Sequence, residues 1–410
     1  MQIGFVNFSQ EELAKKNKVL QMVRDQSAID ELGFGRIRDA FANLMFPGMS
    51  TLQRRAKYFA VMPSMFYQAT QKKYSTLREV RNQIVWWEIR LTEMLVAGAD
   101  GDDDKNGITG SSVLSAAKKD SQKFVKYDPT YIYMSGLRTF GMVKSDTNIY
   151  QLIYERSKQN QEQAVKHKST EYEIGDSEDR NGLSQFFSVC DKYDFDNGKK
   201  LPLNLTLKEA KYLKEHIETS IRSTNSLLAY ILRNNIEVLP DYDSLGSNFQ
   251  DLPEEFRIQY QMGRTFSHFA YVVQLRYNHI VATFNEQTDE TGKQKTDETD
   301  KLMEEIERVL EDYHLDFTTD AVNSMLMFIS GKITENTVIT FCKRAIKLIE
   351  KRDWNELDEL IVAREKSVKP GRSKLRNPKY KGEERLWPRM MSFRWNEIVY
   401  QVINEIREAK

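Results

Sequence analysis

The sequence predicts a mainly α, multi-helix globular protein with at most a small β element. Two observations carry that expectation. Apolar residues recur at helical spacing over most of the chain. Several of these runs open on Ser or Thr followed three residues later by Glu or Gln, the pattern that satisfies free N–H groups at a helix start. Strand-prone pieces are sparse, at 131–134 and 236–239, and 3–8 reads as a strand or an extended lead-in.

The first helix is expected from Ser9 to about Asp25. Ser9 and Glu12 form a capping box, and Phe8 and Leu13 are spaced as a hydrophobic staple. Gly33 and Gly35 then open a short amphipathic helix with Phe34, Ile37, Phe41 and Leu44 on one face, and Pro47-Gly48 stops it. Ser50 and Gln53 read as the next cap, ahead of a helix carrying Arg54, Arg55, Lys57, Tyr58, Phe59, Val61 and Met62. Pro63 is expected to kink or end that helix, because it lacks a donor and clashes with the preceding turn. Thr76 and Glu79 cap a longer helix through Trp86, Trp87, Ile89 and Leu91. Farther on, Thr206 and Glu209 cap a long helix through Asn235, and another spans about 262–284. The C-terminal part carries helices near 301–313, 335–351, 354–366 and 391–408.

Three polar stretches without apolar periodicity separate these elements, at 98–112 (GADGDDDKNGITGSS), 158–182 and 286–300. The expected organisation is an N-terminal helical subdomain at 1–97, an acidic linker at 98–112 and a central helical subdomain at 113–285. A polar linker at 286–300 and a C-terminal helical subdomain at 301–410 follow. The tetrapeptide TDET recurs at 288–291 and 296–299, but a four-residue echo in a polar loop is no repeat architecture.

A chain of 410 residues has room for two or three cores without disulfide or metal staples. Hydrophobic residues make up 40% and charged residues 29%, a globular rather than a disordered balance. Sixty basic and sixty acidic residues cancel, which leaves a nucleic-acid partner open because charge is unevenly placed. Only Cys190 and Cys342 occur, far apart and outside any CxxC motif, so a reducing, cytoplasmic setting is expected. Met1 to Ser9 lack the basic-then-apolar pattern of a secretory signal. The nearest approach to a membrane span, 84–98, is interrupted by Glu88, Arg90 and Glu93, so no membrane partner is expected.

Few motifs carry chemistry. Asp102, Asp104, Asn106, Gly107 and Ile108 match the first half of a calcium loop. The twelfth position, where a bidentate Glu belongs, is Val113, so calcium is rejected. The histidines, His167, His216, His268, His279 and His314, show no metal-ligand spacing, and no metal or cofactor is expected. Arg308 and His314 have the spacing of a ribonucleolytic Arg/His pair, but the intervening helix is acidic and repels an RNA backbone. Neither a GxxxxGK[ST] loop nor a GxSxG elbow is present.

Two basic clusters stand out. One comprises Arg36, Arg38, Arg54, Arg55 and Lys57. The other is 364–394, with eleven Lys and Arg against three acids, densest at Arg372, Lys374, Arg376 and Lys379, and with Trp387 among its aromatics. Cations contact phosphates and aromatics stack on bases, so these residues are the candidate nucleic-acid or partner-protein surface.

The stretch IGFVNFS at 3–9 and the segment DELGFGRIRDAFANLMFPGMSTLQRRAKYF at 30–59 resemble the bacterial family catalogued as domain of unknown function 6361. So do YMSGLRTFGM at 133–142, PLNLTLKEAKYL at 202–213, GRTFSHFAYVVQLRYN at 263–278 and the basic C-terminal segment. The resemblance covers nearly the whole chain. It implies a component of bacterial antiviral defence clusters, encoded near helicases and nucleases, and supplies no catalytic residues. The expected function is a non-catalytic accessory or scaffold subunit that binds DNA, RNA or another defence protein through its basic surfaces. The alternatives are a nuclease whose site assembles only in three dimensions and a self-assembling structural subunit.

Overall fold

The computed structural model describes residues 31–101, 105–169, 186–247, 249, 252–286, 296–334, 336–382 and 385–410. The helix expected at Ser9 to Asp25 and the residues Asp102 and Asp104 lie outside these. The fold is mainly α. Among the described residues are fourteen α-helices and no strand. A single antiparallel bridge joins Val143 and Phe187. No described helix is long and apolar enough to cross a membrane.

The chain divides into two compact units, each assembled from two segments. Unit 1 comprises Met1–Phe41 and Gln250–Phe393, and unit 2 comprises Ala42–Phe249 and Arg394–Lys410.

In unit 2 the central helix is α2 (Lys57–Thr70), after α1 (Gly35–Met45), whose last turn belongs to this unit. Ser50 and Gln53 do not start α2. Gln53 turns back to accept the Ser50 N–H at 2.8 Å and donates to the Ile132 carbonyl at 3.1 Å, so the pair closes a buried turn. Pro63 does not end α2 either, because the helix continues to Thr70 with nearly all its residues buried. Burial on all sides offsets one lost backbone bond, since tertiary packing supplies most of a helix's stability. Around α2 pack α3 (Leu77–Gly98), α5 (Pro129–Thr139), α6 (Ile149–Ser169) and α7 (Leu207–Thr219), with the short α4 (Leu114–Ala117) against α3.

The expected caps of α3 and α7 are present. The Thr76 hydroxyl accepts from the Glu79 N–H, and at Thr206 and Glu209 both halves of the box form. Three expectations fail here for local reasons. Residues 131–134 lie in α5 rather than a strand, because Asp128 caps the Tyr131 N–H and Pro129 occupies the first helical position. Residues 158–169 are helical, since no Gly or Pro interrupts their Gln, Glu, Lys and Ala. The helix from Leu207 stops at Thr219, and Ser226 caps a separate α8 (Leu227–Arg233). The Ser- and Thr-rich turn between them bonds its own backbone, as when the Ser223 hydroxyl donates to the Ile217 carbonyl at 2.7 Å.

Unit 1 is organised on α9 (Glu254–Glu286), which at 33 residues is about 50 Å long. Helices α10 (Thr296–Asp312), α11 (Thr319–Ser330) and α13 (Trp354–Val368) pack on it, and α12 (Asn336–Glu350) lies against α11 and α13. The Phe34 ring meets Phe266, Phe269 and Phe341, and the Phe41 ring meets Phe266, Phe328 and Phe393. The apolar face read at 34–44 thus anchors the start of α1 in this core. The helix expected over 391–408 begins late. Phe393 and Arg394 adopt positive φ, a single π turn covers Trp395–Val399, and α14 is Tyr400–Arg407.

Candidate nucleic-acid interface

The first basic cluster divides between the two units, with Arg36 and Arg38 in unit 1 and Arg54, Arg55 and Lys57 in unit 2. Lys57, 1% exposed, is a core residue of unit 2 whose Nζ lies 2.7 Å from Glu209 Oε2 and donates to the Asn204 carbonyl. Arg55 donates through Nε and Nη2 to the Asn106 carbonyl and pairs with Glu405 at 3.6 Å. Arg54 reaches Glu397 at 3.4 Å. These three cations hold the α2 start against α7, the 105–110 turn and the C-terminal helix, so they are structural. Their spacing alone carried no sign of the partners.

The basic segment of unit 1 is also partly neutralised. Fully buried Glu31 lies among Lys374 at 3.4 Å, Arg385 at 3.6 Å and Lys369 at 3.8 Å. The Tyr277 hydroxyl bonds Glu31 and also reaches Glu365, 2.8 Å away. Buried Glu365 accepts the Lys374 and Leu375 N–H groups at 3.0 and 2.9 Å. Desolvation, reinforced by Glu31, raises the Tyr277 pKa far above its ordinary value, so this hydroxyl keeps its proton. Arg376 pairs with Glu359 at 2.6 Å. Lys374 and Arg376 therefore brace the loop. Arg372 and Lys379 are exposed, with no carboxylate in ion-pairing range among the described residues. Trp387 is half-exposed and donates from its indole to the Tyr271 hydroxyl at 3.2 Å.

What the structure does bring together is Arg36, Arg38 and Arg364. They line an open cleft of about 500 Å³ in unit 1 with Gly33, Gly35, Asp39, Ser367 and Val368. Arg364 comes from the last turns of α13 and is 93% buried. Its Nε donates to the Leu32 carbonyl at 3.0 Å and its Nη1 to the Thr337 hydroxyl at 3.1 Å, which holds the guanidinium in place. Gly33 makes room for it, since a Cβ there would lie 2.7 Å from Arg364 Nη2, and its φ of +76° suits glycine. Asp39 is the one acid in the lining among the described residues and pairs with Arg38 at 3.1 Å. Three guanidinium groups thus line the cleft, and the α1 N-terminus adds partial positive charge. Arg36 and Arg38 were legible as cations in the sequence. Arg364 stands 325 residues beyond Asp39, and only its place at the head of the basic segment marked it.

Unit 1 also holds a buried polar network that sequence reading passed over. Asp316 accepts from Thr265 at 2.6 Å and Gln261 at 3.2 Å, and pairs with His268 Nδ1 at 2.7 Å. His268 is fully buried and stacks on Tyr313 with ring centroids 3.9 Å apart. This network ties α9 to the turn before α11. Arg308, the other half of the pattern read with His314, is clamped between Glu305 and Asp312.

Residues 1–327 match the sequence profile of DUF6361, a family of unknown function. The chain belongs to this family. No curated protein and no solved structure matches it. The DUF6361 match contains Gly33, Arg36, Arg38 and the His268–Asp316 network. It ends before Arg364 and the basic segment, so one wall of the cleft lies outside the family's matched region.

Proposed function

We propose that this DUF6361 protein is a non-catalytic accessory component of bacterial antiphage defence that binds nucleic acid through the arginine-lined cleft of unit 1. The observation that carries the reading is the convergence of Arg36, Arg38 and Arg364 on one open cleft. Guanidinium forks match phosphate oxygens two at a time, and a guanidinium held by other bonds is preorganised for such a contact. Arg372 and Lys379 are further exposed cations of the same unit. Helicases or nucleases of the same defence system are the protein partners this context suggests. The unpaired thiols of Cys190 and Cys342 support a cytoplasmic setting.

The test is fluorescence anisotropy with single- and double-stranded oligonucleotides across a salt series. Arg36→Glu/Arg38→Glu is expected to weaken binding at least about ten-fold and to flatten the salt slope by about one for each phosphate that is no longer neutralised. Arg36 is exposed and Arg38 half-buried, so the unfolding curve of the variant is recorded alongside to show that the fold survives. Arg372→Glu/Lys379→Glu is expected to weaken binding less, in the same direction. The reading fails if the wild type binds no oligonucleotide at low salt, or if the Arg36/Arg38 variant binds as the wild type does.

A further inference from the structure

A second candidate surface lies in unit 2, around the start of α5. Tyr127 and Tyr131 flank the Asp128 cap of α5, and their ring centroids are 4.9 Å apart at an interplanar angle of 32°. They are 46% and 64% exposed. Lys126 Nζ lies 5.4 Å from the Tyr127 ring centroid. Upstream, Lys119 and Lys123 are exposed, and neither they nor Lys126 has a carboxylate in ion-pairing range among the described residues. Lys118, by contrast, is taken up by Glu93. Nine consecutive residues, 119–127, thus carry three lysines and one acid, Asp120, and lead into a pair of exposed, mutually packed aromatic rings.

We infer that Tyr127 and Tyr131 form a stacking platform for the bases of single-stranded nucleic acid, with Lys126 and Lys123 on its phosphates. The charge favours this occupant over a protein. Lysine is depleted from the cores of protein–protein interfaces, where its ammonium must be desolvated, whereas a phosphate backbone draws it in and releases counterions. Exposed rings offer flat apolar faces to any unpaired base, so stacking is sequence-tolerant. Duplex bases are already stacked on one another and have no such face to give. The platform stands on its own residues and does not depend on the cleft of unit 1.

The test uses the full chain and a fluorescent oligothymidylate of about twelve nucleotides. Tyr127→Ala/Tyr131→Ala is expected to weaken binding by about 5- to 150-fold for each base that no longer stacks, with the salt slope unchanged because the phosphates keep their lysines. Tyr127→Phe/Tyr131→Phe keeps the rings and should bind within about two-fold of the wild type. Lys123→Glu/Lys126→Glu should lower affinity and flatten the slope. A duplex of the same length should be insensitive to the alanine pair. The platform is overturned if the wild type binds no single strand, if the alanine pair binds as the wild type does, or if the phenylalanine pair binds as weakly as the alanine pair. Running Arg36→Glu/Arg38→Glu alongside separates the two sites. Weaker binding by that variant but not by the tyrosine pair leaves the cleft and removes the platform, and the reverse result leaves the platform alone.

Discussion

Lys57→Met is expected to destabilise the protein by about 3–5 kcal/mol, the usual cost of leaving one member of a buried ion pair without its partner. The reason lies with Glu209. Its carboxylate, 3% exposed as a residue, faces Lys57 at 2.7 Å and also accepts from the Thr206 N–H and the Tyr193 hydroxyl, each at 2.7 Å. With the ammonium gone, two neutral donors must stabilise a full negative charge away from water. Adding Glu209→Gln to Lys57→Met should recover part of the stability, because the amide carries no charge to strand. Urea unfolding followed by far-ultraviolet circular dichroism measures both. A Lys57→Met variant within ~1 kcal/mol of the wild type would show that the pair contributes little.

A second large effect is expected from pH, through Glu88. This side chain is fully buried in α3; its Oε1 accepts the Thr130 N–H at 2.7 Å, and its Oε2 has no hydrogen-bond partner among the described residues. Burial, reinforced by the negative charge of Asp128 and opposed by the Thr130 bonds, pushes its pKa up from 4.5 to about 8. The folded chain therefore keeps this proton between about pH 4.5 and 8 while the unfolded chain releases it. Stability from Glu88 is fully present below pH 4.5, falls as pH rises through that window, and levels off above it. At ~1.4 kcal/mol per unit, the fall amounts to a few kcal/mol. Glu88→Gln, a neutral shape mimic, should flatten the decline in melting temperature between about pH 5 and 9. Equal slopes for variant and wild type would place the titrating group elsewhere.

The two caps at Thr76 and Thr206 were readable because capping is local, with donor and acceptor three residues apart. The strand expectation at 131–134 failed because Tyr-Ile-Tyr looks β-prone until Asp128-Pro129 is weighed as a helix start. Pro63 misled for a different reason, as a helix buried on every side tolerates one missing bond. The candidate site divides along the same line. Positive charge was visible at every basic residue, but its neutralisation was not. Glu209 lies 152 residues from Lys57, and Glu31 lies more than 300 from the cations around it. Which arginines face solvent follows from those distant carboxylates. The cleft emerged only when α13 delivered Arg364 beside Gly33.

The cluster around Glu31 also sets an order of events during synthesis. Its three cations, Lys369, Lys374 and Arg385, are translated more than 330 residues later. At ribosomal rates of ~5–20 residues per second, that delay is roughly 17–70 s. Throughout it the nascent chain lacks these three cations, so the buried cluster around Glu31 cannot yet be completed. The unit 2 segment from Ala42 to Phe249 leaves the ribosome before the unit 1 segment from Gln250 to Phe393 and has most of its own core in hand. Unit 1 is thereby committed to folding late, once its last loop has emerged.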